Sequence, residues 1–160
     1  RPMKKLHQIL LFATAMGLAG AAAAQALKPE EKVKYRQAAY TFMAWNMEKI
    51  KAQAVDGSAP FDQAQVAAAA NAIAAVANSG MGALYSPDTV GVVGFHKSAL
   101  KKEFFEQPDE VRKIATNFAE QANKLAEVAA AGDKAAIAKQ FGEVGKACKS
   151  CHDKFRMKED

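Results

Sequence analysis

Apolar residues recur at helical spacing along four stretches of the chain, and turn-forming residues separate the stretches. From about Pro29 to Ala54, Val33, Tyr40, Met43, Met47 and Ile50 fall on one stripe. Pro29 suits a first helical position, and Glu30 and Glu31 favour the positive N-terminal end of a helix. Residues 56–60, Asp-Gly-Ser-Ala-Pro, break it. A second stripe, Val66, Ala69, Ile73 and Val76, spans about Asp62 to Asn78, with Asp62 and Gln65 spaced as a capping-box variant. Its many alanines are strong helix formers and permit close helix approach.

Residues 80–95 read as a long Gly-containing loop with Pro87 inside it. A loop that long in a compact domain is usually functional, and here it is expected to line one edge of a pocket. A short helix is expected over Lys97 to Phe105. The third long stretch, about Pro108 to Ala131, opens on Pro108, Asp109 and Glu110 and carries Val111, Ile114, Phe118, Leu125 and Val128 on one face. Gly132 then reads as a C-cap glycine, and Asp133 as the N-cap of a last helix. That helix carries Ile137, Phe141, Val144, Cys148, Cys151, His152 and Phe155 on one face. No strand-like alternation appears. The class is all-α, and short connections make antiparallel neighbours, hence an up-down-up-down four-helix bundle.

Half of the 160 residues are apolar, which suits one domain with a continuous core. Residues 1–26 have the features of a cleavable signal peptide rather than of a bundle helix. Met3 reads as its start, Lys4 and Lys5 as a basic n-region, and Ile9 to Leu18 as an apolar h-region too short for a comfortable membrane span. Small residues allow cleavage after Ala24 or Ala26. The domain is then 27–160, exported to the periplasm, with no membrane contact after processing. The leader holds three of the 22 basic residues and no acid, so the net charge of +5 falls to +2 without it. With no basic patch interleaved with aromatics, nucleic acid is not an expected partner.

The chain has two cysteines, at Cys148 and Cys151. A disulfide closing so short a loop stabilises little, so the pair points to chemistry. Cys148-Lys149-Ser150-Cys151-His152 is the C-x-x-C-H run of covalent c-type haem attachment. Two thiols one helical turn apart reach the two haem vinyl groups, and His152 supplies the axial iron ligand. Zinc is the rival, but zinc wants a second ligand pair; His7 lies in the leader and His96 stands alone. A dithiol redox motif would want a βαβ context, which is absent.

The run 148–156, Cys-Lys-Ser-Cys-His-Asp-Lys-Phe-Arg, preceded by Phe141-Gly142-Glu143-Val144-Gly145, resembles the last helix of cytochrome c′. Residues 34–40, Lys-Tyr-Arg-Gln-Ala-Ala-Tyr, resemble that family's first helix, and residues 79–85, Ser-Gly-Met-Gly-Ala-Leu-Tyr, resemble a loop of its purple sulfur bacterial members. The similarity covers essentially all of 27–160. It implies one covalently attached haem c with a five-coordinate, high-spin iron that binds nitric oxide and carbon monoxide. It also implies slow electron transfer to an unnamed redox partner, no enzymatic activity, and a homodimer.

By the same resemblance Tyr40 stands over the distal face, as a steric gate or as a plain core tyrosine. Arg36 and Gln37 stand near the propionates, or else on a solvated helix face. Arg156 stands by the proximal pocket, or else caps the end of its helix. Phe155 stands where many relatives carry Tyr. Trp45 packs in the bundle or at a dimer contact. The alternative function is an electron carrier with a six-coordinate haem, for which Met43 and Met47, on the Tyr40 stripe, are the candidate second ligands. Peroxidase-type chemistry would need a distal acid–base group, and His96 is the spare histidine.

Overall fold

A computed structural model of the chain describes residues 26–158. The leader expectation therefore falls, Ala26 apart, outside the described residues. The chain forms α1 (Pro29–Ile50), α2 (Gln63–Ala77), a one-turn α3 (Glu103–Glu106), α4 (Pro108–Ala131) and α5 (Lys134–Phe155). Among the described residues no strand longer than an isolated bridge occurs. No described helix is long and apolar enough to cross a membrane.

The ends of the helices follow local chemistry. Asp62 accepts a hydrogen bond from the Gln65 backbone N–H, and Asp133 accepts from those of Ala135 and Ala136. Gly132 takes a left-handed conformation (φ 79°) that closes α4 and allows the immediate turn into α5. The first helix does not stop at Ile50. It widens into a π-helical turn over Lys51–Val55, which buries Gln53. Gln53 donates to Gln65 and accepts from the Asp62 backbone N–H, tying the end of α1 to the start of α2.

Around the bundle α1 packs on α2, α2 on α4, and α4 on α5. The ring closes where α5 meets the π turn, whereas α1 proper and α5 barely approach each other. The two helices run antiparallel. The N-terminal half of α1, with Arg36 and Tyr40, therefore lies at the same end as the C-terminal half of α5, with Cys148, Cys151 and His152. The shared core is made of small and branched side chains: Val66, Ala69, Ala70 and Ile73 of α2 against Ala122, Leu125 and Ala129 of α4 and Ile137 and Val144 of α5.

The helix expected over Lys97 to Phe105 is a correction. Only Glu103–Glu106 is helical. Residues 97–101 instead pair with other backbone: Ser98 N–H donates to Val92, Lys101 N–H to Phe155, and Met157 N–H to Ala99. Extended pairing with a segment more than fifty residues away overrides the local helical pattern.

The loop before it is fastened to α1 by close packing at Gly94. A Cβ there would lie 2.6 Å from Gln37 Oε1, 2.7 Å from Val33 Cγ1 and 3.0 Å from the Lys34 backbone nitrogen. Val33 is fully buried and the Lys34 backbone belongs to α1, so neither can give way easily. Gly94→Ala is therefore expected to destabilise the protein by about 1–3 kcal/mol. A denaturant titration showing an unchanged midpoint would contradict the close approach.

Candidate functional site

The C-terminal half of α5 presents Cys148 and Cys151 one turn apart, both free and both partly buried. Cys148 packs against the edge of the core cluster. Burial pushes both thiols above their ordinary value, and the neighbouring Cys151 pushes Cys148 further. His152 follows them on the same turn. Burial lowers its pKa, and the Arg156 charge lowers it further, so the neutral imidazole that can ligate iron is favoured. Arg156 lies beside His152 along a shallow hollow that Lys101, Asp153, Met157 and Lys158 also line. Among the described residues no cluster of three or more His, Cys, Asp or Glu could hold a metal ion, so the structure gives the zinc alternative no second ligand pair.

Two inward-reaching tyrosines stand across from the thiols. Burial is the main cause raising the Tyr40 phenol, and the charges of Cys151 and Cys148 add to it; Cys151 also raises Tyr85. Tyr40 is 42% exposed, unlike the buried Met43 (7%) on the same helix. The reading of Tyr40 as a plain core residue does not hold. Met43 sits in the core cluster, and Met47 packs against it. The hydroxyls of Tyr40 and Tyr85 are 2.6 Å apart.

Sequence reasoning missed Tyr85 as a partner of Tyr40. It lies at the end of the 3₁₀ turn Met81–Leu84, in the loop expected to edge a pocket. Its ring is held from two sides. Phe104 stacks on it with centroids 4.7 Å apart, and the Arg36 guanidinium carbon lies 4.7 Å from its centroid. Phe104 in turn meets Phe155 of α5 edge-on at 5.5 Å. A row of rings thus runs from α5 through α3 and the loop to α1.

Arg36 is not on a solvated face: it is 5% exposed. It donates to the Leu84 carbonyl (3.0 Å), to Thr89 Oγ1 (2.9 Å) and to Ser98 Oγ (2.7 Å), which fastens the loop to α1. Burial lowers its pKa, while Tyr85 and Tyr40 oppose the shift. Gln37 holds the next part of the loop, donating to the His96 carbonyl and accepting from the Phe95 N–H.

Helix α1 has a second apolar face, pointing outward. Tyr35 (53% exposed), Phe42 (48%) and Trp45 (56%) lie on it, and Trp45 does not pack inside the bundle. Lys49 sits 3.8 Å over the Trp45 ring. A groove of about 520 Å³ runs along this face between Ala38, Phe42 and Trp45 on one side and Phe95 and His96 on the other. His96, the spare histidine, thus belongs to the outer groove.

The chain matches the cytochrome c′ family over residues 31–156. It is 56% identical over 144 residues to a cytochrome c′ of Allochromatium vinosum, covering 90% of this chain and 92% of that one. A solved cytochrome c′ described as having an unusual ligand-controlled dimer dissociation is 55% identical, with a TM-score of 0.77 over 82% of this chain and 98% of that chain. Cytochrome c′ of Alcaligenes xylosoxidans, solved as a nitric oxide complex of one variant and a carbon monoxide-bound form of another, is 32% identical. Its TM-score is 0.71 over 82% of this chain and 98% of that one.

Proposed function

Because the chain belongs to the cytochrome c′ family, whose cofactor is covalently attached haem c, we propose that it is a periplasmic, non-enzymatic gas-binding haem protein. Cys148 and Cys151 are the attachment residues and His152 the axial ligand. The donor set fits: two free, partly buried thiols one turn apart, followed by an imidazole kept neutral. When bound, the haem supplies a five-coordinate iron at which a neutral diatomic gas, nitric oxide or carbon monoxide, can bind, and through which electrons can pass slowly.

The observation that carries this reading is the placement of Tyr40. It is the α1 side chain whose ionisation both attachment thiols oppose, while Met43 is sunk in the core. A phenol raised above its usual value of about 10 stays neutral at physiological pH and is a poor ligand. Tyr40 therefore occupies the distal side without bonding to the metal. Arg36 has five N–H donors, and three are committed to the loop, which leaves two for a propionate. Gln37 stands one residue on, and Arg156 stands beside His152 on the proximal side.

The second part of the proposal is a homodimer built on the outer face of α1. That helix shows apolar residues on two faces, and only one of them is covered by the bundle. Tyr35, Phe42 and Trp45 form a row that a second copy of α1 would bury, with Phe95 beside it. By analogy with the relative whose dimer dissociates under ligand control, gas binding and dimer association are taken to be linked.

The test is an optical spectrum of the purified holoprotein, with and without carbon monoxide. The oxidised protein is expected to lack the red charge-transfer band of a Met–His haem, and the reduced protein to bind the gas without losing a protein ligand. A Met–His spectrum would overturn the five-coordinate reading in favour of the electron-carrier alternative.

A further inference from the structure

Tyr40 is not held in place by packing alone. Its hydroxyl lies 2.6 Å from that of Tyr85, a residue 45 positions away in sequence. The Tyr85 ring cannot swing freely, because Phe104 stacks on one side of it and the Arg36 guanidinium lies against it. Arg36 is itself fixed, buried and bonded to Leu84, Thr89 and Ser98. The Leu84 carbonyl it holds belongs to the residue just before Tyr85, so one guanidinium fixes both the ring and its backbone. Phe104 is braced by Phe155 of α5, three residues after the proposed axial ligand.

We propose that Tyr85 is a positioning residue for the distal gate: its clamped hydroxyl holds the Tyr40 ring across the path of an incoming gas. The proposal rests on the gas-binding reading above and adds what controls it. The barrier at this site then has two parts. One is the room that the Tyr40 ring occupies. The other is the Tyr40–Tyr85 hydrogen bond, which must break before that ring turns aside. The bond is regained when the gas leaves, so the ring returns to Tyr85.

The electrostatics fit the arrangement. The hydrogen bond lowers the Tyr40 phenol and raises that of Tyr85, which burial already holds well above the ordinary tyrosine value. Both phenols are raised overall, so both keep their protons at neutral pH and either hydroxyl can donate to the other. Tyr85 sits on the braced loop and Tyr40 on the element that has to move.

The experiment is a double-mutant cycle on the holoprotein, reading carbon monoxide association in the reduced state. Tyr85→Phe removes the hydroxyl and keeps the ring that Phe104 and Arg36 hold. It is expected to speed association about fivefold, the equivalent of one ordinary hydrogen bond of about 1 kcal/mol. Tyr40→Phe keeps the blocking ring and should give a similar gain. The double variant should be no faster than either single one, because both remove the same bond. A second readout needs no gas. Alkaline difference spectroscopy of tyrosine should place the Tyr40 titration higher in Tyr85→Phe than in the parent, since the Tyr40 phenolate loses the hydroxyl that would donate to it.

An unchanged association rate in Tyr85→Phe would overturn the proposal. So would additive effects in the double variant, because a merely structural role for Tyr85 would act equally with or without the Tyr40 hydroxyl. If the parent bound no carbon monoxide, the gas-binding reading would fail, and the titration arm would still decide whether Tyr85 holds Tyr40.

Discussion

Replacing Cys148 and Cys151 together by serine is expected to give a protein that keeps most of its helix but no longer melts cooperatively at the parent temperature. The core explains why. Ala54, Ala69, Ala70, Ala122, Ala129 and Ala147 are all buried, and each brings only a methyl group to the interior. A buried methylene is worth about 0.8 kcal/mol, so this packing leaves the bundle a thin margin. The thinness is greatest between α1 and α5, which approach each other mainly through the π turn of Lys51–Val55.

At the proposed site a bound haem would lie at the end where the two helices barely approach, and a ligand of the folded state stabilises it by mass action. At a thousand times its dissociation constant the gain is about 4 kcal/mol. For a domain of this size that corresponds to a fall of roughly 10–20 °C in Tm when the ligand is lost. Covalent tethering keeps the haem at high effective concentration, and the double serine variant removes the tether. Acid–acetone extraction should leave colour with the parent polypeptide and take it from the variant. Far-ultraviolet circular dichroism of the extracted variant should report helix, and the near-ultraviolet signal should be weak. A sharp melt of the haem-free variant at the parent temperature would show that the bundle is complete without the group. Cys148→Ser alone, with one thioether left, should fall between the two.

The helices were legible because their signals are local. Pro108 at one end of α4 and Gly132 at the other coincide with the observed bounds, and Asp133 caps α5 as its spacing implies. The residues that were misread depend on partners distant in sequence. Residues 97–101 look helical alone, but they pair with the end of α5. Trp45 by type suits either the bundle or a dimer contact, and only the fold shows that it falls on the face of α1 opposite Val33 and Ile50. Arg36 invited two readings because a charged residue on a helix says nothing about the loop that will fold over it. Thr89 and Ser98, which make its burial tolerable, lie more than fifty positions away.

The site divides in the same way. The C-x-x-C-H run is contiguous and needs no fold to be seen. Tyr40 could be singled out from a stripe and a resemblance. Its partner Tyr85 carried one weak signal, a lone aromatic directly after Met81-Gly82-Ala83-Leu84 in a loop already expected to line a pocket. Nothing in the sequence pairs that aromatic with α1. Only the fold brings the two hydroxyls together.

Carbon monoxide is expected to lower the sedimenting mass of the reduced protein at micromolar concentration, and the reason lies in where a displaced Tyr40 ring can go. On the core side Met43 is 7% exposed and Asn46 2%, so the interior offers no room. Close-packed interiors pass a displacement on rather than absorb it. On the loop side Tyr85 is wedged between Phe104 and Arg36. The remaining outlet is a shift of α1 itself, which carries Phe42 and Trp45 on its far side. In the proposed dimer that face is pressed against its copy, so making room for the gas loosens the contact.

Coupling of this kind amounts to about 1–3 kcal/mol, or roughly 5–150-fold in affinity. Linkage is reciprocal, so monomers should bind the gas more tightly than dimers by the same factor, and the apparent affinity should rise on dilution. Two variants separate the parts. Tyr40→Ala has no ring to displace; it should bind carbon monoxide faster and keep its mass when saturated. Trp45→Ala touches only the outer face; it should weaken the dimer and, through that alone, raise gas affinity at concentrations where the parent is dimeric. An unchanged mass at saturating gas, with an affinity that stays flat across a wide dilution series, would sink the coupling and leave the haem site intact. If Trp45→Ala lowered gas affinity instead, the outer face would be acting on the pocket by some route other than the dimer.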